Sequence, residues 1–392
     1  MSHFLRRWVL HRESKRHRRF RVIRLRICSW RGVRVIRSVG RWRFPACFEP
    51  APDFAESGRM TNPLYRHSFN AQDLVSGFPP RWGHPNKEIV YGIACPTDST
   101  HSGTLAVSRW AAMELPAAAV VDASATEFEM REDVFQYEVA DKPSDSIEWH
   151  LNFAAGDLFT AYSSSLMAQD ELQVAEHPAL GALREAMPQH GLSTLTVESQ
   201  QPTPILIGGV ERRCVIHTDP NPPEGRPDGL YGNAFARAEA DAVKRATVPI
   251  APPTTSNIIA IEAPSYGSGA YSTDEIEYIL RTAYTGFSAA RIESEHSAGS
   301  GVPVVIHTGF WGCGAYGGNR VLMTLLQLLA TVMSGVDRLV FHTVTPSGVA
   351  PFVEGRELLE REFCSEEKPV QVKDLLSRIQ SKDLEWGVSD GN

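Results

Sequence analysis

Long apolar runs are missing from this 392-residue sequence, and none approaches the roughly 20 residues that a bilayer-crossing helix needs. Paired cysteines are missing too. The six cysteines, Cys28, Cys47, Cys95, Cys214, Cys313 and Cys364, form no CxxC and follow no regular spacing. That pattern excludes a zinc ribbon or a disulfide framework and fits a reducing compartment. No GxxxxGK[ST] occurs, which argues against a nucleoside triphosphatase. Acid is nearly absent from residues 1–44, where fifteen Lys or Arg stand against Glu13 alone. The formal charge of -7 therefore joins a head of +14 to a remainder of -21.

The basic head, residues 1–58, is interleaved with Val, Ile and Trp. Three readings stay open: a mitochondrial presequence, a basic arm for nucleic acid or an anionic surface, or a segment outside the working protein, since Met60 makes a sensible start. The expected location is cytoplasmic or nuclear, and mitochondrial if the head is a presequence; no membrane partner is expected. From residue 60 to 350 short β-branched runs alternate with helical patterns. "TPILIGGV", "RRCVIHTDP", "SNIIAIEAP", "GVPVVIHTG" and "VDRLVFHTV" read as strands, as do "NKEIVYGIACP" and "PAAAVVDASA". "GTLAVSRWAAMEL", "MAQDELQVAEHPALGALREAM", "NAFARAEADAVKRA", "STDEIEYILRTAYTGFSAAR" and "NRVLMTLLQLLATVM" read as helices. This alternation predicts one α/β layered domain with a parallel or mixed sheet, followed by an acidic helical tail over 351–392.

Three features carry chemistry. Three runs end alike, in "VIHT", "VIHT" and "VFHT", which offers His217, His307 and His342 as residues lining a crevice beyond the strand ends. Metal ligation by them is the minor reading, because satisfied histidines at strand ends are commoner. "HTGFWGCGAYGGNR" at 307–320 lies between a strand and a helix, where bare backbone N–H groups suit a diphosphate, and Trp311 and Tyr316 offer flat walls. Its alternative is a tight turn packed under aromatics. Gln169, Asp170 and Glu171 open a helix after a flexible loop; neighbours there point about 100° apart, so one carboxylate would catalyse and the other orient or bind. Its alternative is a solvated acidic turn.

These residues together resemble the poly(ADP-ribose) glycohydrolases. Phe153 and the Gln169-Asp170-Glu171 run match that family's FAN, GGG and QEE signature without a gap, and Thr308 to Gln327 resembles TGNWGCGAFGG leading into its helix. "TAYTGF" at 282–287 resembles a third element, "KAYCGF". The resemblance implies a macrodomain-like three-layer α/β/α sandwich with a mixed central sheet and helical additions. It implies ADP-ribose as ligand and an ADP-ribosylated protein as partner, with no cofactor and no metal. Glu171 would be general acid and then base, with Asp170 beside it. Gln169, Asn152, Phe153, Trp311, Gly312, Cys313, Gly314, Ala315, Tyr316, Gly317 and Gly318 would line the ligand, and Tyr231 or Phe235 would face adenine. The departures matter as well. Phe159, Thr160 and Ala161 stand where the family has GGG, Asn152 and Ala155 replace its Asp and Asn, and Asp170 shortens QEE to QDE. Bulky Phe159 is expected to block close approach to the backbone. The loop with Asp219, Glu224 and Asp228 is similar to what a divergent, arginine-directed subgroup would use to hold a guanidinium; its alternative is a stiff acidic surface loop. The expected activity is thus removal of single ADP-ribose units, possible on arginine, with polymer cleavage or non-catalytic ADP-ribose binding as alternatives.

Overall fold

Near-continuous burial along the β-branched runs gives strands with two apolar faces, and such strands need helices on both sides. The computed structural model, which describes residues 62–137, 146–265, 267–364 and 368–391, has this arrangement; the basic head lies outside those residues. Eight strands form one mixed sheet: β1 (Tyr65–Asn70), β2 (Thr104–Arg109), β3 (Glu127–Arg131), β4 (Ile147–Ala154), β5 (Ile205–Ile216), β6 (Thr247–Glu262), β7 (Val304–Gly309) and β8 (Arg338–His342). Their spatial order is β1-β2-β5-β6-β4-β7-β8-β3. From β6 to β3 the neighbours are parallel, and from β1 to β6 they are antiparallel.

The helices are α1 (Ala71–Gly77), α2 (Pro85–Ala94), α3 (Gln169–Glu176), α4 (Ala179–Gln189), α5 (Ala240–Ala246), α6 (Thr273–Ala298), α7 (Arg320–Ser334), α8 (Pro346–Leu358) and α9 (Val372–Gln380). Ile259 and Ile261 of β6 pack with Leu280, Leu326 and Leu376 from α6, α7 and α9. Ile258 and Ala260 turn to the other face, with Leu74, Val174 and Leu183 from α1, α3 and α4. The result is a three-layer α/β/α sandwich.

Several elements differ from the sequence expectation. "NKEIVYGIACP" is helix α2, not a strand; Pro85 opens it, His84 caps it, and Val90 and Ala94 are buried one turn apart. "GTLAVSRWAAMEL" contributes strand β2, not a helix, because ladders to β1 and β5 on its two sides outweigh its helical periodicity. "TPILIGGV" and "RRCVIHTDP" belong to one strand, β5, broken in register between Ile207 and Val210 and between Arg212 and Cys214. The stretch from 351 onward does not stand apart as a tail. Phe352, Leu359 and Phe363 complete the first core together with Leu375 and Ile379.

Helix α3 is tied down at its end by charge. The Arg212 guanidinium meets Glu176 Oε2 at 2.8 Å, with both side chains buried, and Glu176 also accepts from the Ile216 N–H at 2.8 Å. Arg212 in turn stacks 4.5 Å from the Tyr137 ring. Removing one partner of such a pair strands a desolvated charge, so Arg212→Met is expected to lower unfolding free energy by about 3 kcal/mol. Urea denaturation measures this, and an unchanged midpoint would show that the pair does not anchor α3.

Candidate active site

The crevice begins where two parallel strands part. Pairing of β4 with β7 runs from Ile147 and Val304 to His150 and His307, and its register ends there. The connection after β4 leads to α3 and α4 on one face, and that after β7 leads to α7 on the other. This change of face is a topological switch point, the usual ligand crevice of an α/β sheet. Two glutamines satisfy backbone groups beside the split. Gln169 Oε1 accepts from Phe153 N–H at 2.8 Å, and its Nε2 donates to Leu151 O at 3.0 Å. Gln327 Nε2 donates to Gly309 O at 3.0 Å, and its Oε1 accepts from the Thr308 hydroxyl. The amide of Gln169, expected to line the ligand, is therefore engaged by the main chain.

Gln169 fixes the start of α3 beside β4, which sets the two carboxylates next to the crevice. Glu171 is buried and accepts from Ala168 N–H at 3.0 Å. Asp170 is buried and accepts from Asn152 Nδ2 at 3.0 Å. Both lie in the first turn of α3, where the helix dipole favours negative charge. Even so, loss of water and then the Glu171 carboxylate push the Asp170 carboxyl up to about 7, against the Asn152 hydrogen bond and Lys87. Lys87 escaped the sequence reading. It is buried on α2, donates to Tyr162 O at 2.9 Å and is pulled down to about 8 by desolvation, which the charges of Glu171 and Asp170 oppose. Helical spacing is the signal that exposes it, since Lys87, Val90 and Ala94 share the buried face of α2.

Across the crevice lies the glycine loop, Gly309 to Gly318. Gly312 has φ +74°, and a Cβ there would sit 3.0 Å from Pro264. Gly318 closes the turn by donating to Gly312 O at 2.9 Å. Gly314, Ala315 and Tyr316 are half-buried, whereas Gly317 and Cys313 are buried. Trp311, expected as a wall, is fully buried in the first core, because the tight turn tucks its ring under the loop. Phe153 and Tyr316 pack at the margin of that core. Tyr231 is 42% exposed, in a turn whose Gly232 pairs with Met167 just before α3. Phe235 is fully buried.

The three histidines do not all meet. β5 is antiparallel to β6 and Ile216 pairs with Thr247 at the start of β6, so His217 is carried away from the crevice end and is exposed. His307 Nδ1 lies 3.1 Å from His342 Nε2, and Glu148 holds His307 Nε2 at 2.7 Å. His150 stacks on His307 at 4.4 Å and 13°. Among the described residues, Glu148, His150 and His307 come close enough to one another to share an ion. Stacked parallel rings, however, do not aim their in-plane lone pairs at one point. Burial and the neighbouring histidines hold His150 and His342 well below the ordinary imidazole range.

With this geometry in place, residues 230–350 match the family model described as poly (ADP-ribose) glycohydrolase (PARG), macro domain fold. Over that stretch the chain is similar to the catalytic part of that family. It is similar to the solved structure of poly(ADP-ribose) glycohydrolase from Thermomonospora curvata, at 15% identity over 73% of this chain and 97% of that one, with a TM-score of 0.41. It is also similar to the enzyme from Deinococcus radiodurans in complex with ADP-ribose, at 13% identity over 75% and 94% of the chains, with a TM-score of 0.33.

Of the segment that stands where the resembled family has GGG, Phe159 turns inward, Ala161 is half-buried and Thr160 is exposed. Phe159 takes φ +53° and its ring is fully buried in the second core, so it does not obstruct the crevice as its bulk suggested. Lys87 and the Gly83 N–H fasten the segment at Tyr162 O and Ser163 O. "TAYTGF" is a packing element: Gly286 of α6 sits where a Cβ would lie 2.9 Å from Ile261. The acidic loop is partly self-neutralised. Glu224 pairs with Arg245 at 3.4 Å, and Asp219 lies 3.7 Å from Arg226, although Asp219, like Asp228, is exposed. Of the three carboxylates expected to hold a guanidinium, two therefore face arginines of the chain itself.

The Asp170 shift has a thermodynamic consequence. An unfolded aspartate titrates near about 3.9, so between about pH 4 and 7 the folded chain binds more protons at this site than the unfolded chain does. Its contribution to stability consequently falls as pH rises through that window. Asp170→Asn, which can still accept from Asn152, is expected to gain stability relative to the parent at pH 7 and to lose that advantage near pH 4.5. Equal differences by urea denaturation at the two pH values would contradict the shift.

Proposed function

We propose that the protein is an ADP-ribosylhydrolase that cleaves the distal-ribose bond of single, protein-linked ADP-ribose units. The observation that carries this reading is the pair of buried carboxylates at the start of α3, which follows β4, with the glycine loop following β7 beyond the same β4–β7 split. Backbone N–H groups of such a loop suit a diphosphate. Glu171 acts as general acid toward the leaving group and then as base for water at the oxocarbenium-like carbon. Asp170, its carboxyl raised by burial and by Glu171, holds a proton near neutrality beside it, and Asn152 orients it.

The Phe159-Thr160-Ala161 segment, anchored by Phe159 in the second core, supports a single unit over a polymer, since it lacks the three glycines with which the resembled family wraps its ligand. Arginine is the first linkage to examine, with Asp219 and Asp228 the exposed carboxylates of the acidic loop. A panel of arginine-, serine- and glutamate-linked ADP-ribose and of polymer, each offered to the parent and to Glu171→Gln, tests the proposal. Release from one mono-linked substrate should fall by about 10²- to 10⁴-fold in the variant. Equal release by both proteins would falsify the role of Glu171, and efficient shortening of polymer would replace the mono-directed reading.

A further inference from the structure

The glycine loop does not lie open along its length. The run "LEWGVSDG" at 384–391 passes across it in two unlike halves. The first half is anchored. Leu384 O accepts from Tyr271 N–H at 3.0 Å, Asn319 Nδ2 donates to Glu385 O at 2.8 Å, and Trp386 stacks on Tyr271 at 4.4 Å while its Nε1 donates to Glu275 at 3.2 Å. The second half is held mainly by polar contacts. Gly387 N–H donates to Gly317 O at 2.7 Å, Asp390 N–H donates to Gly314 O at 3.3 Å, and Asn233 Nδ2 donates to Gly391 O at 3.1 Å. Val388, the large apolar residue of this half, is 91% exposed.

These contacts span the crevice from wall to wall. One end lies on the glycine loop, and the other on the turn whose Gly232 pairs with Met167, next to the carboxylate-bearing start of α3. The approach is close. A Cβ on Gly317 would sit 3.0 Å from Gly387 O and from Ser389 N, and one on Gly314 would sit 3.1 Å from Asp390 Oδ2. Asp390 thus brings a carboxylate to the backbone that a diphosphate would approach, and the two like charges oppose one another. A segment with little apolar burial and few hydrogen bonds is among the first to open.

We propose that residues 387–391 are a releasable strap, hinged at the Trp386 anchor, that competes with the anionic ligand for the glycine loop. This rests on the ADP-ribose reading of the site. Two measurements test it. Calorimetry compares ADP-ribose binding to the full chain, to Asp390→Asn and to a chain ending at Trp386, which keeps the anchor. If the strap is seated about nine-tenths of the time, shortening should tighten binding about tenfold, with a smaller gain from Asp390→Asn. In the full chain, hydrogen exchange at the Gly387 and Asp390 amides should lose its protection as ligand saturates. Equal or weaker binding by the shortened chain, or protection retained at saturation, overturns the strap; weaker binding would make Asp390 part of the ligand site. If neither chain binds ADP-ribose, the functional reading fails, and pyrophosphate in the same two measurements still decides the strap: tighter binding with lost protection supports it, and neither effect rejects it.

Discussion

Strands β4 and β7 cannot continue as a ladder beyond His150 and His307 and also leave room for a ligand. Their separation exposes backbone groups that would cost free energy if left unpaired and buried. Gln169 and Gln327 supply the missing partners from opposite faces of the sheet. Much else follows from that repair. Because Gln169 is the first residue of α3, satisfying Leu151 and Phe153 fixes where the helix starts, and Asp170 and Glu171 have no freedom to drift. Gln327, on α7, holds Gly309 in the same way and sets where the glycine loop departs. The two walls of the site are thus located by backbone hydrogen-bonding need before any ligand is considered.

Placing two carboxylates so close and so deep is unfavourable in itself, and the surroundings compensate unequally. Asp170 has one amide donor from Asn152, Glu171 has the Ala168 N–H, and both share the positive end of a short helix. Lys87 supplies a buried positive charge from α2 without direct ion-pair contact, while its ammonium donates to Tyr162 O. Remote positive charge moderates the repulsion and leaves one carboxyl able to keep a proton. The same lysine links α2 to the segment that stands where the resembled family has glycines. In this chain that segment is stiffened by Phe159 in the second core and by Lys87.

Layering and sheet type were legible because parallel strands with two buried faces leave β-branched runs that few other structures explain. Helix α2 and strand β2 were misread in opposite directions, each in a short run where both periods fit and tertiary neighbours decide. In the site, the carboxylates and glycines were legible as residue types at fixed spacing. Lys87 was not, since a charged residue inside a run read as a strand looks like a solvent-facing position. His217 shared its local sequence with His307 and His342, yet strand direction, which a local motif does not encode, separated it from them. The acidic loop showed three carboxylates, but pairing with Arg226 and Arg245 depends on how the loop folds back.

A glycine-rich loop can be bare for several reasons at once, and here they can be distinguished residue by residue. Gly312 is required by Pro264 and Gly318 by the turn itself, so neither needs a ligand to account for it. Gly317 is approached by the backbone of residues 387–389, and Gly314 by the Asp390 carboxylate. With Glu171 and Asp390 close by, the crevice carries negative charge of its own. An anionic ligand there must be attracted by oriented N–H groups more than by net positive charge. Recognition of that kind depends on backbone shape, and the Gly387–Asp390 run, which binds the loop through its own backbone, competes for the same surface on the same physical terms.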